Sequence, residues 1–151
     1  MKKYELTSET KIVFGHILYR IKALSSFGYV SAGDLGGFLE SEKNLSQNGN
    51  AWVSGDARVY GNAEVSGDAE VSEIGAIFWI GAVGSRNDTA TFFRCRDGSI
   101  KVVCGCFFGN LDEFAKKVRK THGDNDHAKV YMLAIDMAKI RISTEKEKTE
   151  E

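Results

Sequence analysis

"GNAWVSGDARVYGNAEVSGDAEVS", residues 49–72, is a phrase of six residues that occurs four times in succession. Glycine recurs at the first position of the phrase, Asn or Asp at the second, Ala at the third and Val at the fifth. Residues two apart in an extended chain share a face, so the Ala and Val side chains should lie on one face together. The Gly-Asn and Gly-Asp pairs predict corners between short straight segments, because these residues tolerate unusual backbone angles.

The period of six predicts a three-sided coil of about 18 residues, with successive coils stacked at a strand spacing of about 4.8 Å. This pattern resembles the left-handed parallel β-helix of hexapeptide-repeat proteins. Four hexads complete only about one and a third coils, whereas a solenoid needs about three repeats to be stable. Flanking residues are therefore expected to extend the coil.

Both flanks keep features of the repeat. Downstream, "GAIFWIGAV" (75–83) stays in phase, and upstream Gly37 and Leu45 occupy repeat positions. We therefore predict a mixed α+β fold centred on a short left-handed parallel β-helix of about two to three coils, at residues 37–83. The alternative is an antiparallel meander with Gly-Asp turns.

The two ends of the chain predict different structures. Residues 1–36 predict an N-terminal β cap, because residues 3–24 alternate apolar and polar around Gly15-His16, which predicts two or three strands with a hairpin. Such a hairpin would cap the open end of the coil, since an uncovered strand edge promotes aggregation. The last nine residues, "STEKEKTEE" (143–151), contain no apolar side chain and predict a disordered acidic tail.

Residues 84–142 lose the period of six and predict a C-terminal ββαα unit. The Asp97-Gly98 pair between two apolar runs is a strong signal for a hairpin turn. Asn110, followed three residues later by Glu113, has the spacing of a capping box at the start of a helix. A second helix follows the first after a glycine.

Composition excludes several classes of protein. The chain has 151 residues, 42% of them hydrophobic and 27% charged, with a formal net charge of −1. A near-zero net charge argues against binding to nucleic acid through whole-molecule charge, so we expect no direct nucleic-acid contact. No apolar run approaches the roughly 18 residues of a membrane span, so we expect no membrane association. Three cysteines without a secretory signal predict reduced thiols and a cytoplasmic location.

The best polar group for binding a ligand is "GSRNDT" (84–89) together with nearby arginines. A glycine-led turn offers backbone amides and a guanidinium, which suit an anion such as phosphate. Two of the arginines alternate along a strand and should share its face. The anion-binding candidates are Ser85, Arg86, Asn87, Arg94 and Arg96. The alternative is a solvated loop and strand face.

Outward positions of the hexads predict a surface for protein contacts. Large aromatic and charged side chains there are typical of interaction surfaces. The contact candidates are Trp52, Arg58, Tyr60, Glu64 and Glu70. The alternative is that the N-terminal hairpin covers the aromatic rings.

Four residues have side chains that are weak candidates for ligands of a metal site. These are Cys104, Cys106, His122 and His127. However, the Cys-Gly-Cys spacing is shorter than that of structural zinc motifs, and the flanking valines and phenylalanines favour buried free thiols. We therefore predict no metal, no cofactor and no catalytic thiol.

Two long segments resemble a known family. "YRIKALSSFGYVSAGDLGGFLESEKNLSQNGNAWVSGDARVYGNAEV" (19–65) is similar to the opening of hexapeptide-repeat proteins of phages and prophages. "GSRNDTATFFRCRDGSIKVVCGCFFGNLDEFAKKVRKTHGDNDHAKVY" (84–131) is similar to a C-terminal unit often attached to them. Relatives carry many more hexads, so the resemblance implies a fold and a mobile-element setting rather than a long fibre.

The resemblance itself implies no activity, but a small phage-like chain without an assembled catalytic group leads us to expect a non-enzymatic interaction protein. Enzymes built on hexapeptide repeats place histidines on the coils, whereas the three histidines of this chain lie outside the repeat. We expect a homo-oligomer in the host cytoplasm that binds a host protein, as an anti-CRISPR-like inhibitor of bacterial defence would. The alternatives are a protein that binds or sequesters a nucleotide or other phosphate ligand, and a virion or assembly component.

Overall fold

The computed structural model describes residues 2–142, so the predicted tail lies outside the described residues. This part of the chain is mixed α+β, as predicted, with ten strands and two α-helices. It divides into two compact units, one ending at Ile74 and the other beginning at Gly75. Within residues 2–142, no helix has the length and apolar character needed to cross a membrane.

The first unit contains six strands, and a 3-10 turn, Glu42–Asn44, precedes the repeat. The strands are β1 (Tyr4–Val13), β2 (His16–Ala23), β3 (Leu35–Leu39), β4 (Trp52–Val53), β5 (Arg58–Val59) and β6 (Glu70–Val71). One sheet has the order β1-β2-β3-β5, antiparallel except for the parallel pair β3-β5. The strands β4 and β6 form a separate, parallel two-stranded sheet.

The predicted left-handed parallel β-helix is wrong. Each hexad that forms a strand contributes only two residues, and one of these strands, β5, joins the mixed sheet of the N-terminal hairpin. Residues 75–83, which were expected to continue the coil, lie in the second unit, where a strand at Ile77–Val83 pairs antiparallel with its neighbour. The physical reason is length, since four hexads are too few to form continuous parallel ladders. Instead, the long strands before and after the repeat pair antiparallel within their own units, Tyr4–Val13 with His16–Ala23 and Ile77–Val83 with Asp88–Arg94.

The predicted inward face of the repeat is nevertheless present. Glycines at 49, 55, 61 and 67 all have left-handed φ angles between 61° and 74°, which explains why each corner needs this residue. The alanines and valines of all four hexads are at most 2% exposed. Two of the valines, Val53 and Val71, are register partners on neighbouring parallel strands. The repeat therefore builds the apolar core of the first unit.

Polar side chains satisfy backbone groups that such short strands leave unpaired. The amide of Asn44, which is fully buried, donates to the carbonyls of Gly61 and Ala63 at 3.2 and 2.9 Å. The ammonium of Lys3 donates to the Ala51 carbonyl at 2.8 Å. Since a buried carbonyl without a partner is costly, these side chains stabilise the corners of the repeat.

The second unit is a four-stranded antiparallel sheet with two helices. Its elements are β7 (Ile77–Val83), β8 (Asp88–Arg94), β9 (Ile100–Cys104), β10 (Phe107–Asn110), α1 (Leu111–His122) and α2 (Asp126–Arg141), and the strand order is β10-β9-β8-β7. Within its predicted bounds, 84–142, the ββαα unit therefore has one strand more than predicted, and β7 joins its sheet from outside those bounds. The predicted capping box is present, because the Asn110 side chain accepts from the Glu113 amide at 2.8 Å and the Glu113 carboxylate accepts from the Asn110 amide at 2.9 Å.

Both helices pack on this sheet through one apolar cluster. Phe92 and Val102 on the sheet, Phe114 on α1, and Tyr131 and Ile135 on α2 are among its buried members. Phe114 lies edge-on to both Phe92 and Tyr131, with ring centroids 6.1 and 5.5 Å apart. The cluster holds the C-terminal half of α1 and the start of α2 next to the turns at one end of the sheet.

Candidate functional site

A cavity of about 390 Å³ opens at one end of the second unit. It lies where the turns β7–β8 and β9–β10 meet α1 and α2. Its lining combines polar side chains from the turns and α1 with buried rings: Ser85, Arg86, Asp88, Cys104, Gly105, Cys106, Phe107, Phe114, Lys117, Val118, Thr121, His122 and Tyr131. This volume falls in the range of about 300–1,000 Å³ that is typical of small-molecule sites.

The β7–β8 turn places two polar residues at the rim of the cavity. The Asn87 amide donates to the Gly84 carbonyl at 3.3 Å, which closes the turn around Ser85 and Arg86. Gly84 and Asn87 have left-handed φ angles of 74° and 54°. A Cβ atom at Gly84 would lie 2.7 Å from Tyr131 Cζ and would overlap the Tyr131 hydroxyl. Only glycine therefore lets this turn pack against α2.

Aromatic rings form the floor of the cavity. The Phe114 ring centroid lies 5.2 Å from that of Phe107 and 5.5 Å from that of Tyr131. The Tyr131 hydroxyl is 4.0 Å from the Cys104 thiol. Burial, with a smaller contribution from Cys104, raises the pKa of Tyr131 to about 12, so the hydroxyl is neutral at pH 7. The floor thus offers flat apolar surface and one neutral polar group.

The polar side of the cavity carries more positive than negative charge. Arg86 and Lys117 contribute two cations, and Asp88 contributes one carboxylate. The imidazole of His122 stacks on the Tyr131 ring, with their ring centroids 5.9 Å apart. The His127 ring centroid lies 5.3 Å from that of His122. Two cations and flat apolar rings in one lining suit a small anion that also carries a planar or apolar group.

The structure divides the predicted anion-binding residues into two sets. Ser85 and Arg86 line the cavity, and Asn87 closes their turn. Arg94 instead pairs with Ile100 at the opposite end of β8, roughly 20 Å along the strand from Asp88. Arg94 is buried there, and Arg96 is exposed beyond the strand. Neither lines the cavity, and because β8 ends at Arg94, the predicted shared strand face of Arg94 and Arg96 is wrong as well.

Sequence reasoning missed the contributions of α1 and of Asp88. Lys117 and Thr121 are four residues apart on α1, and both line the cavity beside Val118. Their spacing places them on one side of the helix. That spacing was a usable signal, but nothing local indicates that this side of the helix lies beside the β7–β8 turn.

The residues considered for a metal site lie partly in the same cavity. Cys104 is buried, as expected for a core thiol, whereas Cys106 is exposed at the β9–β10 turn. Cys104, Cys106 and His122 all line the cavity. His127 is not in the lining, but its ring contacts the His122 ring. Over residues 2–142, no cluster of three or more His, Cys, Asp or Glu residues has the geometry to hold a metal ion.

The predicted contact residues of the hexads are partly covered. Trp52 is only 8% exposed and packs edge-on against Tyr4 and Phe27, at 6.3 and 5.4 Å. Tyr60 is half-buried and lies 4.8 Å from the His16 ring. The N-terminal residues therefore cover both aromatic rings, which was the alternative interpretation. Of the remaining candidates, Arg58 is half-buried, and Glu64 and Glu70 are exposed.

No protein-family model matches this chain, and no curated protein matches it significantly. The resemblance to phage hexapeptide-repeat proteins therefore stays a prediction.

Proposed function

We propose that the protein is a non-enzymatic binding protein whose cavity takes a small anion with a planar group, of which a nucleotide is the leading example. The observation that carries this proposal is the pair of cations, Arg86 and Lys117, in the lining of a 390 Å³ cavity floored by aromatic rings. A phosphate supplies the charge that the cations recognise, and a base supplies a flat surface for the rings.

Each part of the lining has a distinct role in this proposal. The Arg86 guanidinium presents paired donors to phosphate oxygens, and Lys117 adds a mobile point charge. The hydroxyl groups of Ser85 and Thr121 add neutral hydrogen bonds. The Asp88 carboxylate repels excess negative charge, so the site favours ligands with few phosphate groups. Asp88 also accepts hydrogen bonds from amino or hydroxyl groups of the ligand.

Calorimetric titration of the full chain with inorganic phosphate and a panel of nucleoside monophosphates tests this proposal. We expect a nucleotide to bind, and we expect Arg86→Ala and Lys117→Ala each to weaken binding at least about tenfold, the loss of one charge-assisted contact. Lys116→Ala is the matched control, because Lys116 is the next residue of α1 and does not line the cavity. Absence of binding across the whole panel would overturn the proposal, as would equal binding by the Lys117 and Lys116 variants.

The tip of the β1–β2 hairpin supports a second candidate function, binding to a host protein. Phe14 is 89% exposed at the apex, with exposed Ile12 and Ile17 as cross-strand neighbours beside it. Phe14 also has a left-handed φ of 49°, a conformation that favours Gly, Asn or Asp in such turns. A strained, exposed aromatic side chain is costly in the isolated protein, and a partner pocket that takes this ring gives a physical reason for it.

Substitution of the apex residue separates stability from partner binding. Phe14→Asn creates the Asn-Gly turn that hairpins favour, so we expect stability to be kept or raised while a host protein is lost from affinity purifications out of bacterial lysate. Tyr29→Asn, at another exposed aromatic residue of the same unit, is the control. If both variants retain the same proteins as the wild type, the hairpin tip is not the binding surface. The expectation that the partner is a bacterial defence protein stays a prediction.

A further inference from the structure

Helix α2 is apolar on two opposite sides. Its inner side packs on the sheet through residues such as Tyr131 and Ile135. On its outer side, a second set of large apolar residues is exposed: Val130, Leu133, Met137 and Ile140. Leu133 is 62% exposed and Ile140 is 86% exposed, and we call these four residues the outer stripe.

The outer stripe has the spacing of a coiled-coil seam. Its members follow one another at intervals of three, four and three residues, which is the a-d-a-d pattern of two heptads. At about 100° per residue, the four side chains fall within roughly 80° of the helix circumference. Helix α1 shows no comparable feature, because its buried residues lie on one side and its exposed positions are charged or polar.

We propose that two copies of this chain pair through the outer stripe, with their α2 helices side by side and parallel. A seam with a-d spacing is complementary to a second copy of itself, and a two-fold axis lets each stripe bury the other. A contiguous row of exposed apolar side chains is also a common mark of a protein interface. The partner that this surface fits is therefore the same helix of another copy.

Charge placement selects the parallel arrangement. Asp136 precedes the second a position and Arg141 follows the second d position, so they occupy g and e sites five residues apart. In a parallel pair, a g residue of one helix faces the e residue five positions later on the other, which forms two Asp136–Arg141 pairs by symmetry. In a fully overlapping antiparallel pair, Asp136 would face its own copy and be repelled.

Dimerisation and ligand binding use different sides of α2. The ligand cavity is lined by Tyr131, on the inner side, whereas the outer stripe points away from the buried cluster. The two proposals therefore succeed or fail independently, and each variant below is expected to keep ligand binding.

Sedimentation velocity of the full chain from about 1 to 100 µM tests the pairing through its concentration dependence. We expect the mass to rise toward twice the 16.6 kDa of one chain. Leu133→Glu and Ile140→Glu should each weaken association at least about tenfold, since each dimer would bury two carboxylates in the seam. Lys139→Glu introduces the same carboxylate next to the stripe but outside it, with an even larger change of charge, and should leave the association constant within a few-fold of the wild type. Circular dichroism of each variant establishes that it is folded.

A charge swap tests the parallel orientation. Asp136→Arg and Arg141→Asp should each weaken association, and the double variant should restore it, because the pairs are re-formed with reversed sign. A 16.6 kDa monomer at every concentration would overturn the proposal. A dimer whose mass is unchanged by Leu133→Glu and Ile140→Glu would also overturn it, since another surface would then join the copies. A chain that stays monomeric and binds a different protein through the outer stripe would also overturn the proposed pairing of two copies.

Discussion

Replacement of Gly84 by alanine tests how the β7–β8 turn is held against α2. Gly84 has a left-handed φ of 74°, and an alanine there loses about 1 kcal/mol of stability from backbone strain alone. The added Cβ would also overlap the Tyr131 hydroxyl and lie 2.7 Å from its Cζ. Tyr131 is buried and its ring is packed against Phe114, so it cannot move aside freely. Overpacking of this kind costs about 1–3 kcal/mol, which gives a total of about 2–4 kcal/mol.

The control for this experiment is Gly98→Ala. Gly98 lies in the same unit and has a left-handed φ of 87°, but no atom lies within 4 Å of a Cβ placed there. Gly98→Ala should therefore cost only the strain of about 1 kcal/mol. Urea unfolding followed by circular dichroism at the helical band reports on the second unit, because both α-helices of residues 2–142 belong to it. Equal losses of stability in the two variants would refute the steric reasoning.

A double-variant cycle locates the clash. Tyr131→Phe removes the hydroxyl that the new Cβ would overlap, although the ring carbon at 2.7 Å stays in place. The Gly84→Ala and Tyr131→Phe double variant should therefore be less destabilised than the sum of the single variants, by about 1 kcal/mol. Strict additivity would show that alanine at position 84 acts only through the backbone.

Three further predictions concern the core, a helix start and a titrating pair. Val71→Ala should lower the free energy of unfolding of the first unit by about 2 kcal/mol, because Val71 is fully buried. Glu70→Ala beside it should change that free energy by less than about 0.5 kcal/mol, and both are measured in a urea titration whose signal comes from the first unit. Asn110→Ala should lower the free energy of unfolding of the second unit by about 1 kcal/mol, since it removes the N-cap of α1. Urea unfolding followed by circular dichroism measures this, and an unchanged unfolding midpoint would show that the cap contributes nothing. The pKa of Glu40 is held below its ordinary value of 4.5 by hydrogen bonds from His16 at 2.8 Å and from the Gly61 amide at 2.8 Å. This contribution to stability is complete above pH 4.5 and is lost as pH falls through the lower pKa of the folded state. Glu40→Gln should therefore reduce the loss of stability that the protein shows below pH 4.5. An unchanged loss in this variant would contradict the linkage.

The candidate site could be predicted only in part from the sequence. Ser85 and Arg86 were identified because a short turn positions its own residues, and local chemistry was enough. Arg94 was grouped with them because it is close in sequence, but six residues of extended chain, roughly 20 Å, separate it from Asp88. Lys117 and Thr121 were missed because their helix reaches the turn only through packing on the sheet.

By itself, the sequence determined the features that depend on neighbours along the chain. The hexad placed alanine and valine on one buried face and glycine at each left-handed corner, and the Asn110 capping box defined the start of α1. These features follow from side-chain alternation, from backbone sterics and from hydrogen bonds that span three residues.

Tertiary structure alone decided which strands pair and which side chains meet. The same hexads could stack on one another or pair with a strand outside the repeat, as β5 does with β3, and the outcome depends on the free energy of distant partners rather than on the period. Antiparallel pairing was favoured on both sides of the repeat, so Ile77–Val83 pairs with β8 and does not form a further side of a coil. The cavity has the same origin, because two turns and two helices that are remote in sequence form it only after the sheet and its apolar cluster have assembled.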